Sequence, residues 1–153
     1  WDERPLSELI DHLLERYHEP HRVELPRLIG MARKVEQVHA DKRACPRGLA
    51  QLLERIQVEL QDHMQKEERV LFPLIRSGRG RMAAMPIQVL ETEHHDHAAN
   101  LERLRALTDG HKVPEGACGT WHALVLGLSE LELDLMRHIH LENPVLFPRS
   151  LHA

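Results

Sequence analysis

His63-Met64-Gln65-Lys66-Glu67, followed by Val70-Leu71-Phe72-Pro73, returns in the second half of the chain as His138-Ile139-His140-Leu141-Glu142, followed by Val145-Leu146-Phe147-Pro148. In both copies a glutamate stands four residues after a histidine, and on an α-helix positions i and i+4 share one face with Cβ atoms about 6 Å apart. Both side chains can therefore reach one point. The repeat extends outward: His18 and His21 in the first half return as His94 and His97 in the second, with the same spacing within each pair and nearly the same offset as the longer motif. Two helical hairpins offering the same polar set would face each other across a pseudo-two-fold axis.

Helix breakers divide the chain into four long segments. The first runs from about Leu6 to Val38, and Pro46 and Gly48 start a second that reaches Arg76 before Ser77-Gly78-Arg79-Gly80. The third covers Met85 to Leu107, closed by Asp109-Gly110, and Pro114 to Gly119 introduces a fourth that reaches Phe147. Long helix-periodic segments joined by short polar turns predict an all-α, up-down-up-down four-helix bundle. Pro20 and Pro26 lie inside the first segment, where each removes a backbone donor at a cost near ~3 kcal/mol in a regular helix. A bend or bulge is expected near Pro20.

Composition narrows the function classes. Aromatic residues are only 3% of 153, which disfavours an all-β fold. No apolar run approaches a membrane span. Twenty basic and 24 acidic residues are well mixed at a formal charge of −4, so nucleic acid has no electrostatic footprint here. Two cysteines make no disulfide framework; Cys45 and Cys118 are expected as free thiols of a reducing, cytoplasmic setting. The outlier is histidine, at 13 residues. The chain opens on Trp1 rather than methionine, so residues 1–153 are expected to be one domain of a longer protein.

Position decides what the histidines mean. The second segment carries a seam of Leu49, Leu53, Ile56, Leu60, His63, Glu67, Val70 and Leu74; the fourth carries Trp121, Leu124, Leu128, Leu131, Leu135, His138, Glu142 and Val145. The first gives Leu14, His18, His21, Leu25, Leu28, Ala32 and Val35, and the third Ile87, Leu90, His94, His97, Leu101 and Leu104. A buried, unpaired carboxylate costs several kcal/mol, against a net domain stability of about 5–15 kcal/mol. Two glutamates and at least four histidines at one level need a cation, and no Lys or Arg sits on these seams nearby. A His–Glu ion-pair network is the weaker alternative. Metal is the better answer.

Imidazole and carboxylate without thiolate suit a di-iron centre, ahead of di-manganese. Two octahedral ions offer about 12 positions. Two bridging glutamates, four histidines and a bridging oxo or hydroxo group leave one position open on each ion. His21 and His97 as further ligands would saturate the centre, so they are placed outside it, orienting ligands or relaying protons, with His97 the nearer to an exception.

A histidine on the first helix, HxxxE on the second, a histidine on the third and HxxxE on the fourth resemble the hemerythrin-like bundle. The closer likeness is to the iron–sulfur cluster repair family, also called regulators of cell morphogenesis and nitric oxide signalling. Arg16-Tyr17-His18, the run from Lys34 to Lys42, His63 to Pro73, Glu91-Thr92-Glu93-His94 and His138 to Pro148 carry it. The resemblance implies six ligands, His18, His63, Glu67, His94, His138 and Glu142. It also implies an N-terminal domain with adjacent cysteines elsewhere in the full protein. Oxygen-carrying hemerythrins have a further histidine four residues after the third-helix ligand. Ala98 stands there and opens a second site.

By that resemblance the protein belongs to the nitrosative and oxidative stress response, binding nitric oxide or oxygen and donating iron to, or doing redox chemistry for, damaged iron–sulfur proteins. A sensor or sink for the same diatomic ligands, without turnover, is the alternative. A closed zinc or manganese site that only holds the bundle is a third. Glu59 and Glu93 could guide protons or iron, or simply line a solvated face; Tyr17 could donate to a bridging group, or pack. His12, His39, His95, His111, His122, His140 and His152 fall off the seams and are expected mostly at the surface. Met64, Met82, Met85 and Met136 read as packing residues.

Overall fold

The computed structural model describes residues 1–153 and contains four long helices and no strand. Helix α1 covers residues 6–38, α2 covers 49–76, α3 is Ala84–Leu107 and α4 covers 119–150. They run up-down-up-down, with α1 packed on α2 and α4, and α2 on α3. No helix is long and apolar enough to cross a membrane.

Local chemistry sets the helix ends. Glu36 reaches from α1 to the start of α2 and accepts hydrogen bonds from the backbone N–H groups of Gly48 and Ala50 at 2.5 and 3.0 Å. Gly48 itself sits at φ 88°, a left-handed conformation in which glycine carries no Cβ penalty. At the end of α2 the N–H of Arg79 returns to the carbonyl of Leu74, with Gly78 at φ 72° making the reversal.

Three of the four helices contain one wide π-turn each. The turns are Leu14–His18 in α1, Glu67–Leu71 in α2 and Glu142–Leu146 in α4. Pro20, Pro73 and Pro148 each follow within two residues, so each proline, lacking a donor, sits just past the turn where the regular i→i−4 ladder has already been interrupted. The bulge expected near Pro20 is therefore present, one turn before it.

The same turns correct four seam assignments, in three of the helices. A π-turn uses one extra residue, which rotates everything after it by a residue. In α2 the apolar seam resumes at Leu71 and Ile75, while Val70 is exposed and Leu74 only half-buried. In α4 Leu146 replaces Val145, which is half-buried. In α1 Leu13, just before the turn, and Tyr17, inside it, hold the core positions, and Leu14 opens the turn half-buried. Methionine is a second correction: Met64 is buried, but Met82, Met85 and Met136 are 67%, 79% and 47% exposed.

The core falls into two apolar clusters. One holds Leu28, Leu53, Leu104, Trp121 and Leu128 toward the end with the 39–48 loop; the other holds Leu9, Leu71, Phe72, Leu90 and Phe147 toward the opposite end. The histidines and glutamates of the seams form the polar layer between them.

Candidate metal centre

His18 and His94 come from the middles of α1 and α3, and the two HxxxE pairs from α2 and α4. His18, Glu67 and Glu142 are 0% exposed, His63 and His138 1%, and His94 4%. The structure brings all six together. Ligand-type atoms of His18, Glu67, His138 and Glu142 lie within 4.8 Å of one another, as do those of His63, His94 and Glu142.

In each of the four histidines Nε2 points inward. Nε2 of His18 and of His63 each lies 3.4 Å from Oε1 of Glu67. Nε2 of His138 is 3.0 Å from Oε2 of Glu142, and Nε2 of His94 is 2.8 Å from Oε1. Two ligand atoms held cis at about 2.1 Å from one ion stand about 3.0 Å apart, so these separations match shared coordination. Hydrogen bonding alone leaves the layer incomplete. Nε2 of His18, Nε2 of His63 and both carboxylate oxygens of Glu67 are buried with no hydrogen-bond partner. Four orphaned polar atoms in one layer fit a cation well.

Each inward nitrogen is matched by an outward one. Nδ1 of His18 donates to Glu68 at 2.6 Å, and the Arg22 guanidinium grips the same carboxylate at 2.7 and 3.0 Å. His63 donates through Nδ1 to Glu93 at 2.9 Å, where Lys66 also binds. His94 donates to the Asn143 amide oxygen at 2.8 Å. A carboxylate or amide oxygen can only accept, so Nδ1 carries a proton, and an ion taking the place of any proton on Nε2 would meet that nitrogen's lone pair in the interior. Nδ1 of His138 faces Nε2 of His21 at 3.3 Å.

Electrostatics follow from this crowding. Burial disfavours charge on His63 and His138, yet the surrounding Glu67 and Glu142 push them up to about 9 and about 10. Burial also works against ionised Glu142, but His138 first, with His63, holds it well below the usual carboxylate range. Protons thus stand in for missing positive charge. Burial and the neighbouring imidazoles push His21 down to about 2 and His97 to about 3, so both are neutral.

A family model described as the hemerythrin HHE cation binding domain matches residues 9–150. The chain belongs to that family. Within it, the chain is similar to proteins named iron-sulfur cluster repair protein YtfE: 54% identical in Pectobacterium atrosepticum, 53% in Musicola paradisiaca and 52% in Yersinia pseudotuberculosis, each over 99% of this chain and 68% of the relative.

The remaining predicted residues of this hemerythrin bundle divide by contact. His21 touches a histidine of the centre, and His97 lies beside His63 with ring centroids 4.9 Å apart and its Nε2 buried without a partner. Glu93 meets His63. Glu59 instead accepts from Arg55 and the buried Asn100 and reaches none of the six. Tyr17 stacks its ring on His138 at 5.5 Å. Glu68 and Asn143 were not among the predicted residues, although each directly follows a seam glutamate, which was the signal available. Off the seams, His95, His122, His140 and His152 are exposed as expected, whereas His39 is buried on Trp121 and His111 is tucked against Glu132. Cys45 and Cys118 are free thiols.

Proposed function

We propose that this hemerythrin-family bundle is a di-iron protein that serves the repair of damaged iron–sulfur clusters, and that it is one domain of a longer protein. The observation that carries the reading is the orphaned Glu67 carboxylate, facing inward-pointing imidazole nitrogens that are each backed from outside. His18 and His138 would hold one ion, His63 and His94 the other, with Glu67 and Glu142 bridging beside an oxo or hydroxo group. The names of relatives more than half identical to this chain supply the repair role.

Bound iron supplies one-electron chemistry and open positions for a diatomic ligand, nitric oxide or oxygen. The protein supplies the rest. Glu68, Glu93 and Asn143 fix the imidazole planes and tautomers, which raises ligand basicity. The two apolar clusters keep bulk water from the layer. An open position on the second ion requires that His97, buried beside His63, stay unbound, since position 98 is exposed on α3 and supplies no ligand.

The test begins with anaerobic purification and metal analysis, where two irons per chain and an oxo-to-iron charge-transfer band on oxidation are expected. Loaded protein is then incubated with a cluster protein stripped of iron, and cluster recovery is followed with and without a ferrous chelator. Recovery that needs the loaded protein supports donation. Stoichiometric zinc with no iron overturns the reading.

A further inference from the structure

Aromatic rings line up from the centre to the surface at one place. Tyr17 stacks on His138 with centroids 5.5 Å apart, His12 meets Tyr17 edge-on at 5.8 Å, and Trp1 lies on His12 at 4.9 Å. Trp1 is held there: Arg149 donates to its carbonyl at 2.7 Å and the Arg4 guanidinium lies 4.5 Å over its ring. Trp1, His12 and Tyr17 line one open groove of about 480 Å³, together with the exposed Leu133 and Met136.

The other rings touching the centre lead nowhere comparable. Phe72 on His18 and Phe147 on His94 are pseudo-symmetric mates from the two copies of the repeat, both buried, and a phenyl ring is not readily oxidised. Tyr17 breaks that symmetry. It directly precedes His18, and the residue that directly precedes His94 in the other half is Glu93, which binds His63 as a hydrogen-bond acceptor. On His138 an oxidisable ring takes the place of that carboxylate, and His21 supplies the polar contact instead.

We propose that Tyr17 is a redox residue which, with His12 and Trp1, carries single electrons from the metal centre to an oxidant at the protein surface. The inner end of this route rests on the di-iron reading. Electron transfer falls off steeply with distance, so a ring in contact with a ligand ring makes the shortest step out of a buried layer. A one-electron oxidant in solution, such as nitrogen dioxide, takes an electron from Trp1 and becomes nitrite, while the indole gives its N–H proton to water. Tyr17 then gives an electron to the indole through His12 and its phenolic proton to water, and the indole regains a proton from water. A ferrous ion would return one electron to the tyrosyl radical, which takes a proton from water to restore the phenol, leaving the ion ferric.

Tyr17 is the chain's only tyrosine, so any tyrosyl radical is assigned without ambiguity. The metal-free protein is oxidised by laser flash with tris-bipyridyl ruthenium and a cobalt(III) pentaammine acceptor, and radicals are followed by absorbance and EPR. A tyrosyl radical is expected in the native chain and absent in Tyr17→Phe, with severalfold lower yield in Trp1→Phe because Tyr17 is buried behind it. Loading with ferrous iron should shorten the radical's lifetime severalfold as ferric iron appears, whereas loading with zinc should not. Equal yield in Trp1→Phe overturns the outer step, and an unchanged lifetime in protein verified to hold two irons overturns the inner one. Failure to bind iron at all, read by metal analysis, removes the di-iron reading and with it the inner step. The metal-free arm still decides the outer step.

Discussion

Glu68 and Asn143 stand at equivalent positions of the two halves, each directly after the glutamate of its HxxxE pair, and each accepts the Nδ1 proton of a histidine from a helix of its own half, His18 at 2.6 Å and His94 at 2.8 Å. One acceptor is an anion and the other neutral. Burial pushes the Glu68 carboxyl up, but His18 and Arg22 outweigh it and hold the group below its usual range. An ionised acceptor makes the imidazole a stronger donor to metal than an amide does.

Glu68→Ala should therefore weaken metal binding about 10–100-fold, the usual loss when the outer partner of a ligand histidine is removed. Glu68→Gln keeps an acceptor and should lose less, and Asn143→Asp should tighten binding. Chelator competition at fixed pH reads all three. Equal affinity of Glu68→Ala and the native protein would sink the idea.

Glu67→Ala tests the centre itself. Both oxygens of Glu67 lack a hydrogen-bond partner, so their removal takes away a bridge without breaking any bond within the protein. Roughly half or more of the bound iron should be lost. Elemental analysis after gel filtration gives the answer, and full retention of both irons removes Glu67 from the ligand set.

Much of this centre is legible in the amino-acid sequence. The HxxxE repeat placed His63, Glu67, His138 and Glu142 on inward faces because a four-residue spacing has only one reading on a helix. His18, His94, His21 and His97 followed from the apolar seams. The π-turns were not legible from periodicity, since one inserted residue shifts a seam without breaking it; Val70 is as apolar as Leu71, and only burial tells them apart. Phe72-Pro73 and Phe147-Pro148 were the available signal, because a proline so soon after an inward glutamate requires the hydrogen-bond ladder to adjust. Glu68 and Asn143 escaped for a related reason: a regular helix would turn them to solvent, and the π-turns that begin at Glu67 and Glu142 alter that geometry.

Gly127 of α4 packs directly against the Leu28 side chain of α1. A methyl group there would stand 2.5 Å from Cδ2 of the buried Leu28. Gly127→Ala should cost about 1–3 kcal/mol through overpacking, offset in part by alanine's better helix propensity. Thermal unfolding of the metal-free protein measures it. Gly30→Ala, with nothing within 4 Å, is the control and should be neutral or stabilising.

Four histidines set the pH response of the metal-free protein, and they act in opposite directions. His63 and His138 are raised to about 9 and about 10, above the unfolded value near 6.5, so the stability they add is complete below pH ~6.5 and is lost as pH rises through 9 to 10. His21 and His97 are depressed to about 2 and about 3, so they favour folding above pH ~6.5 and oppose it increasingly as the pH falls below that. The melting temperature should peak near neutrality and decline on both sides. Metal reverses the alkaline limb. An ion displaces the protons of His63 and His138, so its binding at neutral pH releases one from each and tightens as pH rises. Calorimetric titration in buffers of different ionisation enthalpy reads the proton count directly. Metal uptake without proton release would mean that these two imidazoles are not at the ion.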